Sequence, residues 1–293
     1  MKLYETEIPA RKGSGQSARL QCYLQEYSPK LGVNERPLIL ILPGGAYAYT
    51  SDREGEPIAF AFLGQGYHAA VLRYSTAEYV GDATAGDSGK DDELSLDPEA
   101  RMQVARAIAH IKENATAWNV DPDRIFLWGA SAGGHLAAHY ACTWQDEMPE
   151  LTGLSENTLK IRGLLLSYPV ITSGDHANRK SITNLLRERA EDPEELRRVS
   201  LEHRVNASVP PVFLWATWTD GSVPAENSLL FAQALRKASI STELHLFPVG
   251  GHGLALADAR TMGPEGKENV PYCSVWFDLA CAWLKRVSSI EEA

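Results

Sequence analysis

Three side chains far apart in the sequence have the types that acyl transfer needs, and each lies just beyond an apolar run. Ser131 stands in Gly129-Ala130-Ser131-Ala132-Gly133, after Arg124-Ile125-Phe126-Leu127-Trp128 and before His135-Leu136-Ala137-Ala138-His139-Tyr140. A serine between a predicted strand and a predicted helix, with glycines two positions to either side, is the nucleophile-elbow pattern. The turn strains the serine backbone, and the neighbouring chain passes too close for larger residues. A plain Gly-Ser turn would explain the five residues alone, but not the strand before them and the small-residue helix after them. The Ala132 amide, at the start of that helix, would point at a developing oxyanion.

A serine hydroxyl is a poor nucleophile at neutral pH and needs a base to take its proton and a carboxylate to orient that base. Asp220 follows the apolar run Leu214-Trp215-Ala216 and precedes Pro224, which can begin a helix because its missing N–H costs nothing there. Its alternative role is that of a turn or capping aspartate. His252 lies in Val249-Gly250-Gly251-His252-Gly253, where glycines leave the loop free to bring the imidazole to a serine on another strand. A packing histidine belongs instead in a periodic apolar run, as His245 does, and His68 and His110 also read as structural.

A fourth element precedes these three. The run ending at Leu42 enters Pro43-Gly44-Gly45-Ala46-Tyr47, a turn able to aim the amides of Gly45 and Ala46 at the same oxyanion as Ala132. The charged segment Ser51-Asp52-Arg53-Glu54-Gly55-Glu56-Pro57 follows, and its residues can pair with one another or touch substrate. His135 and His139 have a metal-compatible spacing but no third ligand, and Asp91-Asp92-Glu93 lies in a polar stretch, so no metal and no cofactor is expected.

The elements that would hold these residues alternate along the chain. Leu3 to Ile8 and Leu20 to Tyr27 alternate polar and apolar residues, as half-exposed antiparallel strands do. Pro37 to Leu42 is continuously apolar, as a parallel strand covered on both faces must be. Then come a helix over 56–63, a strand over 67–73, a helix over 98–118 and the strand before Ser131. Strands over 161–167, 211–216 and 242–247 follow, with helices over 225–238 and 272–287. The rhythm predicts an α/β fold with a mostly parallel central sheet, helices on both faces and right-handed crossovers. No repeat or linker divides the 293 residues, so a single domain, 1–293, is expected. Two stretches break the rhythm: the acidic, glycine-containing 76–97, read as a surface loop, and the charged 172–209, read as a small lid over the carboxyl edge of the sheet, where ligands bind.

Composition narrows the partners. A net charge of −10 disfavours nucleic acid and anionic membrane, whose phosphates call for clustered Lys and Arg. The four cysteines at 22, 142, 273 and 281 form no C-x-x-C pair, which reads as free thiols and a cytoplasmic location. No apolar stretch approaches the length of a membrane span.

The order Ser131, Asp220, His252 is that of α/β-hydrolases. Together with Arg53-Glu54-Gly55-Glu56-Pro57, Trp128 to Ala137, Pro210 to Trp215 and Val223 to Ser228, these motifs resemble the α/β-hydrolase esterases over nearly the whole chain. The likeness is specifically to the BD-FAE or acetyl-esterase-like group, with acetylxylan esterases among its relatives. The resemblance implies an α/β-hydrolase fold, Ser131 as nucleophile, Asp220 as orienting acid, His252 as base, and oxyanion donors at Gly45 or Ala46 and at Ala132. Pro43 and Ala46 stand where hormone-sensitive-lipase-like esterases have the His and last Gly of H-G-G-G, which leaves open which amides point inward.

The expected function is a serine carboxylic-ester hydrolase acting on short acyl esters, acetyl above all, of sugars or xylan fragments. Tyr47 and Trp218, with Tyr49 and Trp144, are candidates to stack on a sugar ring or to fill the core. The alternatives are an amidase, formamidase or peptidase on the same triad, and a non-catalytic hydrolase-like binding protein, although such proteins lose the serine or the histidine. Whether the chain forms a homo-oligomer is left open.

Overall fold

A computed structural model describes residues 1–10, 17–77 and 96–289. Its strands are β1 (Lys2–Ile8), β2 (Ala18–Leu24), β3 (Arg36–Leu42), β4 (His68–Arg73), β5 (Val120–Ala130), β6 (Gly163–Ser167), β7 (Val212–Thr217) and β8 (Thr242–Phe247). They form one sheet in the order β1-β2-β4-β3-β5-β6-β7-β8. β2 runs antiparallel to both of its neighbours, and all pairings from β4 to β8 are parallel. This is the mostly parallel sheet expected from the apolar runs.

The helices are α1 (Glu56–Gly64), α2 (Glu99–Glu113), α3 (Ala115–Trp118), α4 (Ser131–Thr143), α5 (Met148–Thr152), α6 (Glu156–Leu159), α7 (Arg179–Leu186), α8 (Pro193–Arg198), α9 (Glu226–Lys237), α10 (Pro271–Ser274) and α11 (Trp276–Ser288). Alternation along β3 shows why both faces need cover: Leu38, Leu40 and Leu42 belong to the core that α2, α4 and α9 share, while Ile39 and Ile41 belong to the core that α1 and α11 share.

Several boundaries differ from expectation for local reasons. The helix expected over 98–118 breaks at Asn114, whose side-chain amide donates to the His110 carbonyl at 2.8 Å, and Asn119 closes α3 in the left-handed region. β2 stops at Leu24, because the Gln25 amide donates to His68 Nδ1 at 3.1 Å and its side chain reaches the carbonyls of Leu63 and Tyr67. The acidic Asp91-Asp92-Glu93 and most of the 76–97 stretch lie outside the described residues.

The 172–209 segment crosses the carboxyl edge of the sheet as α7, α8 and two short 3₁₀ turns, and it is fastened along its length. Ile182, Leu185, Leu186, Val199 and Leu201 are buried in the main core. The Leu201 amide donates to Ile171 O at 3.0 Å and the Leu96 amide to Leu185 O at 2.9 Å. Arg198 pairs with the buried Asp97, which also takes two hydrogen bonds from Arg101 at 2.6 and 3.0 Å. These cations hold the Asp97 carboxyl far below the usual range despite its burial.

Candidate active site

β5 ends at Ala130 and α4 begins at Ser131, so the serine is the first residue of the helix. Its φ of 53° is the left-handed conformation that an elbow imposes. The turn admits no side chain at its second glycine: a Cβ on Gly133 would lie 2.0 Å from the Leu42 carbonyl oxygen and 2.4 Å from that of Pro43. This contact seats the elbow against the end of β3, where the Gly-rich turn begins.

Asp220 and His252 arrive from the ends of β7 and β8, neighbouring strands whose carboxyl ends point to the same edge. Ser131 Oγ lies 2.8 Å from His252 Nε2, and His252 Nδ1 lies 2.7 Å from Asp220 Oδ2. Because a carboxylate only accepts, Nδ1–H donates to Asp220 and Nε2 is left to accept the serine proton. Asp220 is fixed in turn: its Oδ1 accepts the amides of Ser222 at 2.8 Å and Val223 at 2.9 Å, and its side chain is 0% exposed, against 22% for His252. The three residues expected from the sequence are thus brought into one hydrogen-bonded chain.

The Gly-rich turn carries φ values of 126° at Gly45, 54° at Ala46 and 57° at Tyr47. Successive residues in this region gather backbone amides on one side. The Gly44 amide is committed to Glu54 Oε2 at 2.8 Å. The amides of Gly45 and Ala46 donate to no protein acceptor among the described residues. They and the first-turn amide of Ala132 are the donors nearest in sequence to the turn and the elbow.

The aromatic expectations divide. Tyr47 is corrected: its ring is 1% exposed and its hydroxyl donates to His135 Nδ1 at 2.8 Å, since a positive φ turns the side chain down onto α4. Trp144 is likewise interior, its indole donating to Ser208 O at 2.9 Å. Tyr49 is 55% exposed and packs on the turn, with a ring carbon 3.2 Å from where a Gly45 Cβ would lie. Trp218 is 62% exposed on the loop that carries Asp220.

Three other histidines are buried in the fold. His135 Nε2 donates to Val199 O at 2.9 Å, and burial pushes its pKa down to about 4. His139 is also buried, with Nδ1 3.7 Å from Asp97 Oδ1. His68 accepts the Gln25 amide and donates to Asn119 O. The four cysteines are buried free thiols, raised by burial to about 12 at Cys22 and Cys142 and about 11 at Cys273 and Cys281. No helix among the described residues is long and apolar enough to cross a membrane.

Two residues beside the site were missed by sequence reasoning. Glu54 turns inward from its charged run and is 3% exposed, while Arg53 beside it pairs with Glu268 at 2.9 Å. Tyr168 follows the end of β6, the strand next to Ser131's own. That position at the carboxyl edge was the available signal.

Residues 24–235 match the family model described as BD-FAE. Endo-1,4-beta-xylanase B of Butyrivibrio fibrisolvens is 35% identical over 224 residues, covering 76% of this chain and 33% of that protein. An acetylxylan esterase of Xylanibacter ruminicola is 26% identical over 80% of this chain and 43% of its own length, so the chain spans less than half of either relative. Among solved structures, carboxylesterase Cest-2923 from Lactobacillus plantarum WCFS1 superposes with a TM-score of 0.83 at 29% identity over 100% of both chains. An acetyl ester-xyloside bifunctional hydrolase from Caldicellulosiruptor lactoaceticus gives 0.77 at 31% identity, covering 97% of this chain and 93% of that one. With a family match from β2 into α9 and a fold shared end to end with a carboxylesterase, the chain belongs to the BD-FAE family and has the α/β-hydrolase fold.

Proposed function

We propose that the protein is a serine carboxylic-ester hydrolase that removes short acyl groups, acetyl foremost, from sugars or xylan fragments through an acyl-enzyme. The observation that carries this reading is the chain Ser131 Oγ, His252 Nε2, His252 Nδ1, Asp220 Oδ2, with contacts of 2.8 and 2.7 Å. In the first half-reaction Ser131 Oγ attacks the ester carbonyl while His252 Nε2 takes its proton. Asp220 steadies the imidazolium, and the amides of Ala132 and of Gly45 or Ala46 receive the oxyanion. His252 then returns the proton to the departing alcohol. Water, activated by the same nitrogen, cleaves the acyl-serine ester and restores Ser131.

The substrate class draws on other observations. Two similar proteins are named for acetylxylan or acetyl ester-xyloside hydrolysis. The exposed rings of Tyr49 and Trp218 are available to stack on a sugar. The chain is taken as one domain, with 172–209 as an insertion fastened to it.

Ser131→Ala should lower p-nitrophenyl acetate turnover by about 10⁴-fold or more. A serine-directed fluorophosphonate should label the native protein at Ser131 and leave the heat-denatured protein unlabelled. A panel of acetylated mono- and oligosaccharides, synthetic esters of increasing acyl length, N-formylkynurenine and an aminoacyl-anilide reads the substrate class. Preference for either amide substrate would replace the ester reading, and full activity in Ser131→Ala would end it.

A further inference from the structure

We propose that Glu54 is a positioning residue for the reaction: its buried carboxylate ties the Gly-rich turn that presents the oxyanion amides to the loop that carries His252. The inference rests on the esterase reading above. Oε2 accepts the Gly44 amide at 2.8 Å and Oε1 accepts the Tyr168 hydroxyl at 2.8 Å. The Tyr168 oxygen accepts the amide of Ala255, three residues beyond His252, also at 2.8 Å. The Tyr168 ring stands edge-on to the His252 imidazole, with centroids 5.2 Å apart. One carboxylate thus reaches both sides of the serine, through a peptide amide on one side and a phenol on the other.

The Pro43–Gly44 peptide is held at both of its polar atoms. The Tyr74 hydroxyl donates to the Pro43 carbonyl at 2.6 Å while Glu54 takes the Gly44 amide. That peptide lies against the nucleophile, because a Cβ on Gly44 would sit 2.9 Å from Ser131 Cβ and 2.6 Å from Glu54 Oε2. Fixing it leaves the next two peptides to turn through positive φ and present the amides of Gly45 and Ala46. An oxyanion hole works only when its donors are aimed before charge develops, so a residue that orients this turn acts on the transition state more than on the bound ester.

The relay leaves no spare acceptor. Glu54 and Tyr168 are 3% and 1% exposed, so water cannot take over a lost bond. Burial, then the nearby Glu54 charge, holds the Tyr168 hydroxyl protonated, which keeps it a donor toward Oε1. An amide in place of the carboxylate offers one acceptor and one donor group where two acceptors are needed. In Glu54→Gln, either Gly44 N–H or the Tyr168 hydroxyl proton loses its partner.

The test uses the full chain and p-nitrophenyl acetate, with active sites counted by fluorophosphonate labelling carried to completion. Glu54→Gln should lower kcat per labelled site about 10²-fold, as for loss of one oxyanion donor, with KM held within about twofold. A trifluoromethyl ketone, whose hemiketal with Ser131 bears the oxyanion, should lose affinity in step with kcat/KM. Tyr168→Phe, which keeps the Gly44 anchor and removes the hydroxyl that links Glu54 Oε1 to the Ala255 amide, should show the same pattern at about tenfold. If Glu54→Gln does not fold, Tyr168→Phe decides alone. Unchanged or raised kcat per site, or a kcat loss with full ketone affinity, overturns the positioning role while an inactive Ser131→Ala leaves the esterase reading standing. Turnover retained by Ser131→Ala overturns both.

Discussion

Two imidazoles flank the elbow, and they differ less in number of hydrogen bonds than in what those bonds are made to. His252 is held by Ser131 Oγ at 2.8 Å and Asp220 Oδ2 at 2.7 Å, with 22% of its side chain exposed. His135, one helical turn past the serine on α4, is held by the Tyr47 hydroxyl at 2.8 Å and the Val199 carbonyl at 2.9 Å, with no exposure. A carboxylate behind the ring stabilises an imidazolium, and a hydroxyl in front supplies the proton to form one. The phenol donor needs the Nδ1 lone pair of the neutral ring, and burial, the largest influence, outweighs the Val199 carbonyl, which favours the charged form. On the proposed mechanism the same side chain serves as a proton carrier in a glycine loop, whereas in a helix it is a fixed pin between the Gly-rich turn and the 172–209 segment.

The sharpest way to break that contrast is to remove the charge behind His252. In Asp220→Asn the remaining oxygen can still accept the amides of Ser222 and Val223, but the new NH₂ faces Nδ1 and forces the wrong tautomer. Turnover of p-nitrophenyl acetate should fall about 10⁴-fold with the melting transition little moved. A loss smaller than tenfold would mean that the carboxylate does not set the role of His252.

A second effect belongs to the buried ring. The pKa of His135 falls from 6.5 to about 4 on folding, so the unfolded chain binds a proton that the native chain refuses. Its stabilising effect is complete above pH 6.5 and is lost as pH falls toward 4. Over that window His135 alone should remove roughly 3 kcal/mol, and His68, lowered likewise to about 4, adds to the same slope. Urea unfolding of wild type and His135→Gln at several pH values isolates the His135 share. Equal slopes in the two proteins would place the proton uptake elsewhere.

The smallest expected effect concerns the partner of that ring. Tyr47→Phe removes the only hydroxyl on His135 Nδ1 among the described residues and should cost about 1–2 kcal/mol in urea unfolding, with kcat within about twofold. A raised KM at undiminished stability would return Tyr47 to the substrate side.

Much of this arrangement was legible before any coordinates. Pro37 to Leu42 announces a covered parallel strand because burial on both faces leaves no room for polar alternation. Ser131, Asp220 and His252 stand out because each follows such a run and chemistry collects where strands end. Glu54 escaped notice because a charged run normally means a solvated surface, and only the Gly44 amide and Tyr168 hydroxyl, remote in sequence, reverse that for one member. Tyr47 could be read as a sugar contact or as core because residue type alone does not say which way a side chain beside a Gly-rich turn faces, and the φ that accompanies its burial is not encoded in its identity. The fastening of 172–209 by Asp97 was equally hidden, since a buried ion network and a charged surface helix have the same composition.

One contact of that segment limits how this protein could be redesigned. The Asn184 side-chain amide donates to the Ala46 carbonyl at 2.8 Å, so α7 grips the Gly-rich turn itself. A chimaera that borrows a different 172–209 would therefore also reset the backbone of the Gly-rich turn, unless the graft brings a donor to the same spot. On the esterase reading, the segment and the turn that would hold the oxyanion share a bolt at this point, and neither can be exchanged alone.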